Sequence, residues 1–123
     1  MRVSKNKINN SLKKEIFQTF LQTIEDLETI EEKRLFFEAF FNEMELETYI
    51  KRLAIAYYIK KGRSYKNIKD NLKVSSATIA SVDKNINMQG MKIALKKMEA
   101  EEWANVWQGK ISKITSLKRK LPI

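Results

Sequence analysis

Apolar positions recur at intervals of three and four along most of the chain, the spacing that lines one face of a helix. From Asn10 to Leu27 the apolar face is Leu12, Ile16, Phe17, Phe20, Leu21, Ile24 and Leu27, with Ser11 as the expected cap. From Thr29 to Met44 it is Ile30, Phe36, Phe37, Phe40, Phe41 and Met44. Thr29 followed by Glu32 has the form of a capping box, in which each side chain serves the other's backbone amide. These phenylalanines suit a core or a subunit interface better than a ligand site. A third segment, Glu45 to Lys61, is apolar all round between Leu53 and Ile59 and therefore needs cover on several sides, part of which a second copy of the chain would supply.

Gly62 ends that segment, since glycine takes the left-handed backbone conformation needed just past a helix, and Lys60 and Lys61 suit the negative end of the helix dipole. Ser64 then opens a short helix through Ile68 and Leu72. Lys73 and Val74 break the pattern. Ser75 opens a further helix with Ala77, Thr78, Ile79 and Val82 that fades over Asn85 to Asn87. After Gly90 the periodicity resumes in Met91, Ala94, Leu95, Met98, Trp103, Val106 and Trp107, ending near Gly109, and 110–123 forms a basic tail.

With three glycines and one proline in 123 residues, little interrupts these helices. The expected fold is all-α: one domain, 1–123, of about six helices, with a dimerisation core over 10–61, a helix-turn-helix over 62–88 and a C-terminal helix over 90–109. No cysteine or histidine is present, which removes disulfides, thiolate nucleophiles, imidazole bases and the usual zinc ligands. The pairs Glu31/Glu32 and Glu101/Glu102 read as solvated helix faces without a convergent partner, so no catalytic or metal-binding residue is expected and the chain is not read as an enzyme. No apolar run approaches a bilayer-spanning length and no signal segment opens the chain, which favours a cytoplasmic protein without a membrane partner.

The net charge of +9 is distributed in blocks. Residues 1–14 carry five basic groups and no acidic one, and 15–47 carry ten acidic against two basic. Residues 48–97 then hold twelve basic groups against Asp70 and Asp83, followed by three acidic groups over 98–107 and five basic over 108–123. Such a block suits one face to a polyanion.

The two serine-capped helices lie inside that basic block. A short helix, a turn and a second helix that begins with small side chains is the layout of a helix-turn-helix, whose second helix enters the major groove. Ser75, Ser76, Ala77 and Thr78 are small enough to approach base edges, and Ser64, which caps the helix before them, is expected at the DNA as well. Arg63, Lys66, Lys69, Lys73 and Lys84 surround them as phosphate contacts. None of the first-turn residues is an Arg, Lys, Asn or Gln able to grip a guanine or adenine bidentately, so direct readout is expected to be modest. Ala77 and the Thr78 methyl suit thymine methyl groups. Ser75, Ser76, Thr78 and Ser81 suit direct or water-mediated bonds to bases, with DNA shape contributing.

Over Leu46 to Met88 the chain resembles the tryptophan-repressor-like family. The resemblance rests on the apolar helix containing Arg52, the Lys61-Gly62 stop, the Ser64-Tyr65-Lys66-Asn67-Ile68 opening, the Lys69-Asp70-Asn71-Leu72 run and Ala77-Thr78-Ile79. It implies a homodimer with intertwined N-terminal helices that binds double-stranded DNA as a transcriptional regulator. It also implies an effector pocket in which two arginines flank a tryptophan corepressor. Arg52 falls at one of these positions and Ser81 at the other, so no cofactor, and no tryptophan corepressor of that kind, is expected. A non-specific architectural DNA binder, or a helical module binding an acidic protein or RNA, are the alternatives.

Overall fold

The structure, a computed structural model, describes residues 6–102. Six helices occur among these residues, and no strand: α1 (Asn10–Asp26), α2 (Ile30–Phe40), α3 (Glu43–Lys60), α4 (Tyr65–Leu72), α5 (Ser76–Lys84) and α6, which runs over 89–102. The expected helix thus begins one residue ahead of Gly90. Its expected end near Gly109, Trp103, Val106, Trp107 and the basic tail lie outside the described residues.

The chain divides into two compact units between Leu46 and Glu47. In the first, the aromatic pattern brings α1 and α2 together: Phe20 meets Phe36 and Phe40 with ring centroids 6.3 and 5.5 Å apart, and Phe36 stacks on Phe40 at 5.2 Å. Such ring pairs add to the area they bury. The Lys33 ammonium donates to the Leu27 carbonyl at 2.6 Å and holds the turn between the helices. None of this unit's described residues is buried, however. Leu12, Ile16 and Phe17 remain 48%, 53% and 58% exposed.

Local capping explains the helix starts. The cap of α1 is Asn9 instead of the expected Ser11, because the Asn9 Oδ1 accepts from both the Ser11 and Leu12 amides (2.8 and 3.3 Å). One side chain satisfies two orphan donors there. For α2, Thr29 Oγ1 accepts from the Glu32 amide at 3.0 Å as expected, while the Glu32 carboxylate reaches one residue further back, to the Glu28 amide at 2.9 Å. The segment expected to run on to Met44 stops at Phe40. Asn42 and Glu45 form a reciprocal capping box, the Glu45 amide donating to Asn42 Oδ1 (2.8 Å) and the Asn42 amide to Glu45 Oε1 (3.0 Å), and this starts α3 at Glu43. On α2, Arg34 pairs with Glu31 and, at 2.7 Å, with Glu38, so Glu31 serves as a surface ion-pair partner.

The second unit has a true core. Ile55 and Ala56 of α3, Ile68 of α4, Ile79 and Val82 of α5 and Leu95 of α6 are buried together, with Tyr57, Tyr58, Ile59, Leu72, Val74, Ile86, Met91 and Met98 packed around them. The all-round apolar stretch of α3 is covered mainly by these three helices, although Leu53 stays 42% exposed. Near its end, the Lys61 ammonium pairs with Glu102 of α6 at 2.7 Å and lies 5.5 Å from the Tyr57 ring centre. This fastens the end of α3 to α6.

Candidate nucleic-acid interface

The turn into the candidate site is built at Gly62. Its φ of +79° is a conformation that side chains disfavour, and it lets the Arg63 amide reach back to the Tyr58 carbonyl (3.1 Å) and the Gly62 amide to the Ile59 carbonyl (2.9 Å). That pair of bonds closes a helix in the Schellman manner. The chain then turns at Ser64, whose hydroxyl accepts from the Asn67 amide at 3.1 Å and starts α4.

α4 and α5 pack through Ile68 and Ile79, both fully buried. The turn between them is completed by Lys73 in the left-handed region (φ 57°), the amide of which donates to the Lys69 carbonyl at 3.0 Å. A hydrogen bond between residues eighteen apart also joins the two helices: the Tyr65 hydroxyl donates to Asp83 Oδ2 at 2.8 Å. That bond, then partial burial, raises the Tyr65 pKa, because ionising the phenol would place two negative charges side by side.

With Ile79 and Val82 turned inward, the opposite face of α5 presents Ser76, Ala77, Thr78, Ala80, Ser81 and Lys84, all exposed. Ala80 was missed in the sequence, although it stands three positions after Ala77 and four after Ser76, the spacing of a shared helical face. The expected reader Ser75 has a different employment. Its hydroxyl accepts from the Thr78 amide at 3.1 Å and lies 2.9 Å from the Thr78 hydroxyl, so it acts first as the helix cap. The amides of Ser76 and Ala77, at the first two positions of the helix, have no intrahelical acceptor and face outward at its positive end.

The expected cations are exposed: Arg63 before α4, Lys66 and Lys69 on it, Lys73 in the turn and Lys84 on the last turn of α5, and the neutral Ser64 between Arg63 and α4 is exposed with them. Arg63 is held in place, its guanidinium 4.1 Å over the Tyr58 ring and 3.4 Å from Asn67 Oδ1. Tyr58 was not singled out in the sequence, because it stands five positions before Arg63, across a turn. Among the described residues, the basic block engages Lys51 with Glu47 at 3.7 Å and Lys61 with Glu102 at 2.7 Å. The Lys61–Glu102 pair raises the Lys61 pKa and, together with the Tyr57 hydroxyl, lowers that of Glu102.

Arg52 lines a separate pocket of about 220 Å³ with Tyr49, Leu53, Val82, Asn85 and Met91. Arg52 supplies the one guanidinium among these lining residues, and Ser81 is not one of them. Asn85 and Met91 reach the pocket from beyond α5 and from α6. No group of His, Cys, Asp and Glu side chains able to hold a metal ion occurs among the described residues. Nor is any helix among them long and apolar enough to cross a membrane.

The comparisons with known proteins agree with this geometry. Residues 15–99 match the family model described as Trp repressor protein. Among solved structures, the chain is similar to a TrpR-like protein from Eubacterium eligens ATCC 27750, with a TM-score of 0.67 and 26% identity over 74% of this chain and 96% of that one. No curated protein sequence matches.

Proposed function

The chain belongs to the Trp repressor family, and on that footing we propose that it is a homodimeric, sequence-specific regulator of transcription, repressor-like in action, that lays α5 in the major groove of duplex DNA. The observation that carries the reading is the exposed, small-residue face of α5 with Arg63, Lys66, Lys69, Lys73 and Lys84 around it. Small side chains allow close approach to the groove floor, and the cations offset phosphate charge. In this reading Ser76, Ala77, Thr78, Ala80 and Ser81 meet the bases, while Ser75 sets the helix that carries them. A regulator with this role performs no catalysis.

The dimer is supported by the uncovered apolar face of α1, since a stable unit seldom leaves so many large apolar side chains in water. Sedimentation of the full chain tests it, and a monomer at all concentrations overturns it. For the effector, the residues around Arg52 do not fit a two-arginine clamp on tryptophan, and Val82 occupies wall space beside the lone guanidinium. No tryptophan corepressor of that kind is proposed. Saturable binding of L-tryptophan in a calorimeter overturns that statement.

Selection of bound sequences from random duplex DNA tests the main reading. The expected product is a two-fold symmetric motif with half-sites separated by about one helical turn. Enrichment of no motif, with salt-sensitive binding to every duplex, would make the protein an architectural binder. Lys66→Glu with Lys69→Glu is expected to abolish duplex binding. Unchanged binding would remove α4 from the interface and favour a protein or RNA partner.

A further inference from the structure

A second pocket, of about 320 Å³, lies on residues that neither the α5 face nor the Arg52 pocket uses. Three lysines line it: Lys60 at the last position of α3, and Lys92 and Lys96, one turn apart on α6. Leu95, 3% exposed, and Ile86, packed on the core, supply apolar wall, so the site is anchored to the buried part of the unit. Asn87 adds an amide and Glu99 a carboxylate.

The charge of the lining is unbalanced, three ammonium groups against one carboxylate. Among the described residues the ion pairs of this unit are Lys51 with Glu47 and Lys61 with Glu102, and neither draws on a pocket lysine. Like charges gathered in a concave site with low-dielectric walls raise the local concentration of an anion. Lysine suits phosphate, because a compact ammonium binds it as a point charge without demanding the planar geometry that arginine imposes. The excess of two positive charges matches a phosphate monoester, which carries about −1.5 to −2 at neutral pH. The volume stands at the small end of ligand sites, which run from roughly 300 to 1,000 Å³.

We propose that this pocket binds a small organic phosphate monoester, with its phosphate among Lys60, Lys92 and Lys96 and its carbon skeleton on Ile86 and Leu95. Asn87 and Glu99 face the neutral polar groups of the ligand. Glu99 limits the charge that the site accepts, so a more highly charged polyanion is repelled from that wall.

The test uses the full chain in phosphate-free buffer, with phenyl phosphate as the probe and benzenesulfonate as a monoanion of similar shape. Amide NMR shifts are expected to saturate at Asn87, Lys92 and Lys96 with a Kd below about 1 mM, and benzenesulfonate to bind at least about tenfold more weakly. Lys92→Gln with Lys96→Gln is expected to cost about tenfold or more in affinity for phenyl phosphate. Glu99→Gln is expected to tighten it by roughly threefold, a gain that an unfolded variant could not produce. The proposal is overturned by shifts that do not saturate, by shifts centred on Lys66 and Lys69, by equal binding of the two probes, or by a Glu99→Gln variant that binds no better. The measurement contains no DNA, so its failure leaves the reading of α5 untouched.

Discussion

Ser75 distinguishes two jobs that a residue at the head of a reading helix is able to perform. If its hydroxyl chiefly caps α5, Ser75→Ala should remove the acceptor of the Thr78 amide, 3.1 Å away, and release the Thr78 hydroxyl to water. Loss of such a cap costs about 1 kcal/mol, within a range of about 0.5 to 2. At this chain length that corresponds to a fall in Tm of roughly 3–6 °C. Circular dichroism at fixed protein concentration reads it, concentration being held constant because a dimer's Tm depends on it. Ser75→Asp should restore the cap, aspartate being as good at this position as serine, and leave Tm close to that of the parent. On the proposed function its carboxylate would stand at the groove entrance, however, and one added like charge near phosphate costs about 1 kcal/mol or more, a loss of at least about fivefold in duplex affinity. The expected pattern is therefore crossed: alanine lowers stability and spares binding, aspartate spares stability and lowers binding. An alanine variant with unchanged Tm and tenfold weaker duplex binding would refute the capping argument and return Ser75 to the readers.

Ile68→Ala should cost about 2–5 kcal/mol, because Ile68 is fully buried where α4 meets the core, while Ile68→Val should cost about 0.5–1.5; urea unfolding measures both. The Lys61–Glu102 pair acts at both ends of the pH range. Glu102, held below the ordinary glutamate range by Lys61 and then by Tyr57, contributes stability that is present above that range and lost as pH falls through the lowered value. Lys61, raised chiefly by Glu102, contributes stability that is present below the ordinary lysine range and lost as pH rises through the raised value. A carboxyl NMR titration in which Glu102 ionises at or above the ordinary range contradicts this. Tyr65, raised by Asp83, should ionise at lower pH in an Asp83→Asn variant, a change read by ultraviolet absorbance in alkaline solution.

The parts of this structure that were legible in the sequence are those governed by short spacing. Gly62, Ser64, Thr29 and Ser75 announce helix ends because a cap acts over three residues or fewer. Asn42 and Glu45 obey the same rule and were passed over, since the apolar rhythm from Phe37 through Phe41 to Met44 runs straight across them. At α1 both Asn9 and Ser11 are capping types, and the periodicity starting at Leu12 pointed to the wrong one. The exposed face of α5 follows from which side Ile79 and Val82 bury. Tyr65 with Asp83, Arg63 on Tyr58 and the gathering of Lys60 with Lys92 and Lys96 depend on how helices pack, and no local pattern marks them.

Lys73 occupies a left-handed backbone position that glycine holds with no penalty and lysine at a cost of about 1–2 kcal/mol. Lys73→Gly is accordingly expected to raise Tm and, on the proposed function, to lower duplex affinity by removing one phosphate contact, with a shallower salt dependence by about 0.9 in the logarithmic slope. The turn thus sets thermal robustness and grip on a polyanion in opposition at a single position. A variant library sorted for heat resistance alone would drift toward glycine there and discard binders without any sign of misfolding.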